Sequence, residues 1–280
     1  MTGQKQGRRE DRPTKSHDLP QLDILTARVS PIGPSTAAAV VAGWTSDDGA
    51  HAVCAANVHM LMEAVDDPSF TRTLAEADLL VCDGRPLVWA ARLLGSADAR
   101  HCRGFDLMVA VCERAARDGL KVGLYGSAPE VNEAVRRRLR ERFPTLDITY
   151  SWSPPFRELS PEEEAGVMRT LATARPDILF VSLGCPRQER WMMAHRNELK
   201  CTMIGVGAAF DFHAETKKRA PQWMRRAGLE WAHRLGSEPT RLGGRYVKTN
   251  SAFLLKVIGS SARGRLAPRG VAPRDRAGSG

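Results

Sequence analysis

From His51 to Val206 short apolar runs alternate with longer amphipathic ones, and no other feature restricts the fold of this chain as strongly. The short runs are His51 to Ala56, Ala77 to Cys82, Lys121 to Tyr125, Asp147 to Tyr150, Asp177 to Leu183 and Thr202 to Val206. Between them lie Val58 to Ala64, Pro86 to Leu94, Asp106 to Asp118, Pro129 to Phe143, Pro161 to Ala174 and Pro186 to Asn197. Short runs this apolar predict strands covered on both faces, and the longer ones predict helices. The expected class is α/β, a Rossmann-like, mostly parallel sheet flanked by helices.

In such a sheet the ligand crevice lies beyond the carboxyl ends of the strands, so the polar residues after each short run are the candidates. Asn57 follows the first. ADLLVCDGRP then places Asp83, Gly84, Arg85 and Pro86 at a strand tip before a helix. A carboxylate there suits a general base that accepts a sugar hydroxyl's proton, and it equally suits a cap on the following helix. In KVGLYGSAPE, Gly126 and Ser127 precede a helix start whose backbone N–H groups would hold a diphosphate, or they form a plain turn. LFVSLGCPRQERW sets Gln188 and Glu189 in the first turn of a helix facing the crevice. An amide there can read a base or sugar edge, while Glu189 also complements the helix dipole.

Asp211 sits between two phenylalanines after Gly205 and Gly207, and a carboxylate so placed needs a partner, either Arg219 or a ligand hydroxyl. His59 and His213 lack a second histidine at metal-ligand spacing, and there is no DxD pair, so no metal site is expected. The six cysteines show no CxxC and read as buried thiols of a reducing compartment.

Charge is divided unevenly. The chain carries a net +9, yet Glu215 to Gly280 holds fifteen Lys/Arg against four acids, which leaves the first 214 residues near −2. A basic segment bearing Trp, Leu and Phe suits an anionic headgroup layer, where each cation contributes about 1 kcal/mol. Nucleic acid is the weaker reading, because no recognition helix or aromatic RNA-binding motif accompanies the charge. The first twenty residues lack the apolar core of a signal peptide, and no run approaches the roughly 20 apolar residues of a spanning helix. The expected organisation is a disordered tail at 1–20, an α/β core at 21–214, a basic helical membrane-associating appendage at 215–258 and a second disordered tail at 259–280. A cytoplasmic protein peripheral on the inner membrane face follows.

Seven blocks in order, ADLLVCDGRPLVWAARLLG, RGFDL, LYGSAPEV, LGCPRQERW, GVGAAFDFHA, KRAPQWM and GLEWAHRLGSEPTR, carry a resemblance to the WecG/TagA/CpsF glycosyltransferases of bacterial cell-envelope synthesis. It runs from roughly Asn57 to Tyr246. The resemblance implies an inverting, metal-independent hexosyltransferase with no cofactor. Such an enzyme moves a sugar, typically N-acetylmannosamine, from a UDP-sugar donor to a polyprenyl-diphosphate-linked acceptor. It also implies that Asp83 is the base, that Gln188 is a site residue, and that Arg234, Arg241 and Arg245 approach the diphosphate.

Two departures bear on substrate. The family usually has Thr-x-Asn where this chain has Ala55-Ala56-Asn57, and a usual Ala-Gly is here Ala214-Glu215. Other readings are transfer of another hexose such as glucose in exopolysaccharide synthesis, a non-catalytic nucleotide-sugar-binding subunit, and a nucleic-acid-binding protein. A homo-oligomer is compatible with all of them.

Overall fold

The computed structural model of the chain describes residues 19–45, 49–215, 224 and 250–259. In chain order the named elements are β1 (Leu22–Ile24), β2 (Ala27–Val29), α1 (Pro34–Trp44), β3 (His51–Ala56), α2 (Val58–Asp66), α3 (Pro68–Ala75), β4 (Leu79–Cys82), α4 (Arg85–Leu93) and α5 (Gly104–Asp118). They continue with β5 (Lys121–Gly126), α6 (Pro129–Arg142), β6 (Asp147–Trp152), α7 (Pro161–Ala174), β7 (Ile178–Ser182), α8 (Arg187–Ala194), β8 (Thr202–Gly205) and α9 (Ala209–His213). Residues 250–259 are helical as well.

The main sheet has the order β4-β3-β8-β7-β5-β6. Every neighbouring pair in it is parallel. Strands β3, β4, β7 and β8 are largely apolar because both faces are covered, whereas the edge strand β6 (DITYSW) leaves Asp147, Ser151 and Trp152 exposed. On β3, Cys54 and Ala56 enter one apolar cluster together with α2, α3, α4, α7 and α8, whereas Val53 and Ala55 enter the other with α1, α5, α6 and α9. Leu179 and Val181 of β7 divide from Ile178 and Phe180 in the same way. The result is a three-layer sandwich with the sheet in the middle.

The elements that escaped the periodic pattern are β1, β2, α1, α3 and α9. β1 and β2 form an antiparallel hairpin of three-residue strands, too short to show an alternation in sequence. The segment α1 (PSTAAAVVAGW) carries no charged residue and so shows no polar stripe against which to read a helical face. The hairpin shields the exposed edge of β4, where the Ser30 N–H donates to the Leu80 carbonyl at 2.7 Å.

Phe253 and Val257 of the 250–259 helix are buried within the α2–α4 side of the core. The far end of the segment expected to form an appendage therefore packs into the domain. Its other face leaves Leu254, Leu255 and Ile258 exposed.

Candidate active site

A cavity of about 210 Å³ opens beyond the carboxyl ends of β4, β3, β8 and β7. Its walls come from every one of those strand tips: Asn57 after β3, Asp83 after β4, Gln188 at the start of α8, and Gly207 after β8. Arg103 and Phe105 at the start of α5 complete it, with Phe212 of α9.

Asp83 is held by its backbone. Its N–H donates to the Ala56 carbonyl at 2.7 Å, extending the β3–β4 pairing by one residue. The next N–H, that of Gly84, donates to His101 Nε2 at 2.9 Å. One step earlier, the Cys82 carbonyl accepts the N–H of Cys102 at 2.9 Å. The N-cap of α4 is Gly84, which has no side chain to cap with. Asp83 thus precedes the N-cap position, and it lines the cavity. Gly84 has φ 127, a conformation that disfavours any residue with a Cβ.

Asn57 serves two ends. Its side-chain oxygen caps α2 by accepting the Met60 N–H at 3.1 Å, and the residue lines the cavity as well. Capping fixes the carboxamide, so its NH₂ is presented in a set direction.

Gln188 is almost wholly buried at the cavity floor. Its Oε1 accepts the Gly207 N–H at 3.2 Å, and its Nε2 donates to Glu189 Oε1 at 2.6 Å. The glycines of GVG make this possible. A Cβ on Gly205 would stand 3.1 Å from Gln188 Nε2, so the close approach these glycines permit is that of a side chain of the protein itself. Glu189 was expected to face the crevice, but it is fully buried and stands behind Gln188, outside the cavity walls. Burial pushes its carboxyl up to about 7.

The remaining candidates lie off the cavity wall. Arg85 and Pro86 open α4, next to Asp83. Gly126 and Ser127 sit at the tip of β5, where a Cβ on Gly126 would come 2.3 Å from the Ser182 carbonyl oxygen. The Ser127 and Ser182 hydroxyls lie 2.9 Å apart, and Ser182 donates to the Gly207 carbonyl at 2.8 Å. This turn therefore braces the β8 tip from behind. Asp211 lies in α9, adjacent to the wall residue Phe212. Arg219, Arg234, Arg241 and Arg245 lie outside the described residues.

Arg103 and Phe105 were not singled out by the sequence reading. Arg103 is the N-cap residue of α5, and its Nε donates to Asp106 Oδ2 at 2.6 Å. Gly104 lets this helix start lie against β8, for a Cβ there would be 2.9 Å from the Val206 carbonyl oxygen. The signal was present in RGFDL, a cation and an aromatic flanking a glycine. Phe105 also stacks on His213 at 4.0 Å between ring centroids.

The model of the glycosyl transferase WecG/TagA/CpsF family matches residues 22–267, from the hairpin to beyond the last helix. The chain belongs to this family. The match extends past both ends of the motif blocks and takes in β1 and β2. Similar curated proteins are the N-acetylglucosaminyldiphosphoundecaprenol N-acetyl-beta-D-mannosaminyltransferases of Staphylococcus aureus strains MW2, NCTC 8325 / PS 47 and COL. Each is 30% identical over 206 residues, which is 73% of this chain and 78% of the relative.

As a member of this glycosyltransferase family, the chain places one departure in the cavity wall and the other against α6. Ala55 lines the cavity. Glu215 adopts φ 57, a left-handed position that glycine occupies without strain, and its carboxylate pairs with Arg138 of α6 at 2.8 Å. That ion pair ties the end of the described core to α6.

The described cysteines are all free, and five of the six are buried. Burial raises the Cys82 thiol to about 12, so beside Asp83 it stays neutral. Among the described residues no cluster of three or more His, Cys, Asp or Glu could hold a metal ion, and no helix is long and apolar enough to cross a membrane.

Proposed function

We propose that this glycosyltransferase moves N-acetylmannosamine from a UDP donor to a polyprenyl-diphosphate-linked N-acetylglucosamine, with inversion and without a metal. The observation that carries the reading is the cavity itself, with Asp83, Asn57, Arg103 and Gln188 converging at the tips of four adjacent parallel strands. The activity for which the Staphylococcus aureus relatives are named supplies donor sugar and acceptor.

In this mechanism Asp83 takes the proton of the acceptor hydroxyl. The hydroxyl oxygen forms a bond to the anomeric carbon as the bond to UDP breaks on the opposite face, which inverts the centre. Gln188 and Asn57 orient the donor. Arg103 and the basic segment after Glu215, with Arg219, Arg234, Arg241 and Arg245, neutralise the leaving diphosphate. That segment also meets the anionic membrane surface that holds the acceptor, which makes the enzyme peripheral on the inner face.

Ala55 on the cavity wall favours a second reading, transfer of another hexose. A panel of UDP-sugars against short-chain polyprenyl-diphosphate sugars, scored by UDP release and product mass, decides between them. Release of UDP from UDP-N-acetylmannosamine alone supports the first reading. UDP binding without any product overturns both.

A further inference from the structure

We infer that Glu189 is a positioning residue, which fixes the carboxamide of Gln188 in the one orientation that completes the cavity floor. This rests on the transferase reading above, in which Gln188 orients the donor.

A glutamine carboxamide can sit either way round, and its neighbours decide which. The Gly207 N–H must have an acceptor, so Oε1 faces it at 3.2 Å. Nε2 then has to find an acceptor within a closed wall. Glu189 Oε1 is that acceptor at 2.6 Å, and an ionised carboxylate can do nothing but accept. The seat is tight, with the Gly205 backbone where a Cβ would stand 3.1 Å from Nε2.

Glu189 itself is absent from the cavity walls and fully buried, so it reaches the donor only through Gln188. Its second oxygen has no partner of hydrogen-bond geometry. Burial outweighs the three groups that favour the charged form, Gln188, the Glu189 backbone N–H and the Cys185 thiol, and a plain core position would be filled by an apolar side chain. The groups facing it from neighbouring elements are thiols: Cys54 on β3 and Cys185 in the turn before α8. Beyond them, Glu63 of α2 acts on Cys185 and Asp78 acts on Cys54. Burial holds both thiols protonated, so neither supplies a charge to Glu189. With its carboxyl at about 7, Glu189 gains a proton just below neutral pH, and the charge-assisted bond to Gln188 becomes a weaker neutral one.

The direct test follows the side-chain NH₂ resonances of Gln188 in the full-length protein from about pH 5.5 to 8.5. They are expected to titrate near neutrality in the wild type and to stay flat in Glu189→Gln. Gln188 NH₂ resonances that show no hydrogen-bonded shift at pH 8.5, or that are the same in Glu189→Met as in the wild type, overturn the inference.

A double-mutant cycle with Gln188→Ala and Glu189→Met supplies the functional readout. Glu189→Met is expected to lower kcat/KM about tenfold, with the double variant no worse than Gln188→Ala alone, and Glu189→Gln is expected to restore most of the activity. Additive losses overturn the positioning role. Full transfer by Gln188→Ala would sink the donor-binding reading instead, while the wild-type shift at pH 8.5 still judges the contact without any variant having to fold.

Discussion

The backbone N–H of Gly84 is bonded to His101 Nε2 at 2.9 Å, so the residue after the candidate base is pinned by a side chain seventeen positions further along. The bond joins two loops at the cavity rim. Removing it with His101→Ala leaves the Gly84 N–H without its partner, at a cost of about 1 kcal/mol. Because Asp83 then loses one of its backbone restraints, kcat should fall about tenfold with little change in KM for the donor. Steady-state kinetics with a saturating acceptor check this. An unaltered kcat means that the contact does not position Asp83.

A second prediction concerns the brace behind β8. Gly126 combines φ 117 with a Cβ position 2.3 Å from the Ser182 carbonyl oxygen, so Gly126→Ala meets both backbone strain and a clash with main chain. The strain alone costs about 1–3 kcal/mol. A lower urea midpoint with an unchanged slope is the expected result, since Ser182 also supports Gly207 at the cavity.

Much of this architecture was legible because strands covered on both faces leave continuous apolar runs, and β3, β4, β7 and β8 all show them. The tips of those strands gave Asn57, Asp83 and Gln188. Arg103 was hidden because it arrives at the cavity from a helix start, not a strand end, and only the packing of Gly104 on β8 brings it there. Glu189 was misplaced for a related reason. Residues 188 and 189 are adjacent in sequence, yet a helix turns them apart, so only Gln188 reaches the cavity wall. The hairpin ahead of α1 had too few residues to reveal a period.

The acidity of Glu189 gives a stability prediction with a definite sign. Its carboxyl is raised from an ordinary 4.5 to about 7 in the folded protein. Below pH 4.5 both states hold the proton. As pH rises towards 7 the unfolded chain releases it while the folded chain keeps it, so stability is lost across that window and levels off above it. The loss reaches about 3 kcal/mol at most. Glu189→Gln removes this dependence, so urea midpoints of the two proteins should diverge between about pH 4.5 and 7, with the variant gaining on the wild type. Parallel curves would show that Glu189 ionises normally in the fold.

For membrane contact, truncation after Ala214 is a blunt tool, because it also removes Phe253 and Val257 from the core. The exposed residues of the same helix separate the two roles. Leu255→Ser with Ile258→Ser changes side chains that are 71% and 55% exposed, so the folded state should keep its melting temperature. Partitioning onto anionic liposomes should nonetheless weaken about a hundredfold or more, since burying such side chains in the headgroup layer contributes about 1.5–3 kcal/mol each. Equal sedimentation of variant and wild type places the anchor elsewhere.

The decisive substitution is Asp83→Asn. It keeps the shape of the side chain and leaves the backbone bonds at Ala56 and His101 in place, so folding and UDP binding should be preserved. What it removes is a carboxylate able to take the acceptor's proton. Transfer should fall at least about a hundredfold, the range expected for loss of a general base. Measuring UDP affinity by calorimetry beside turnover separates the two effects. A variant that binds UDP normally but no longer glycosylates the lipid-diphosphate acceptor assigns the chemistry to Asp83. One that turns over at the wild-type rate moves the base to another residue of the cavity wall, where Asp83 would be left with an orienting role.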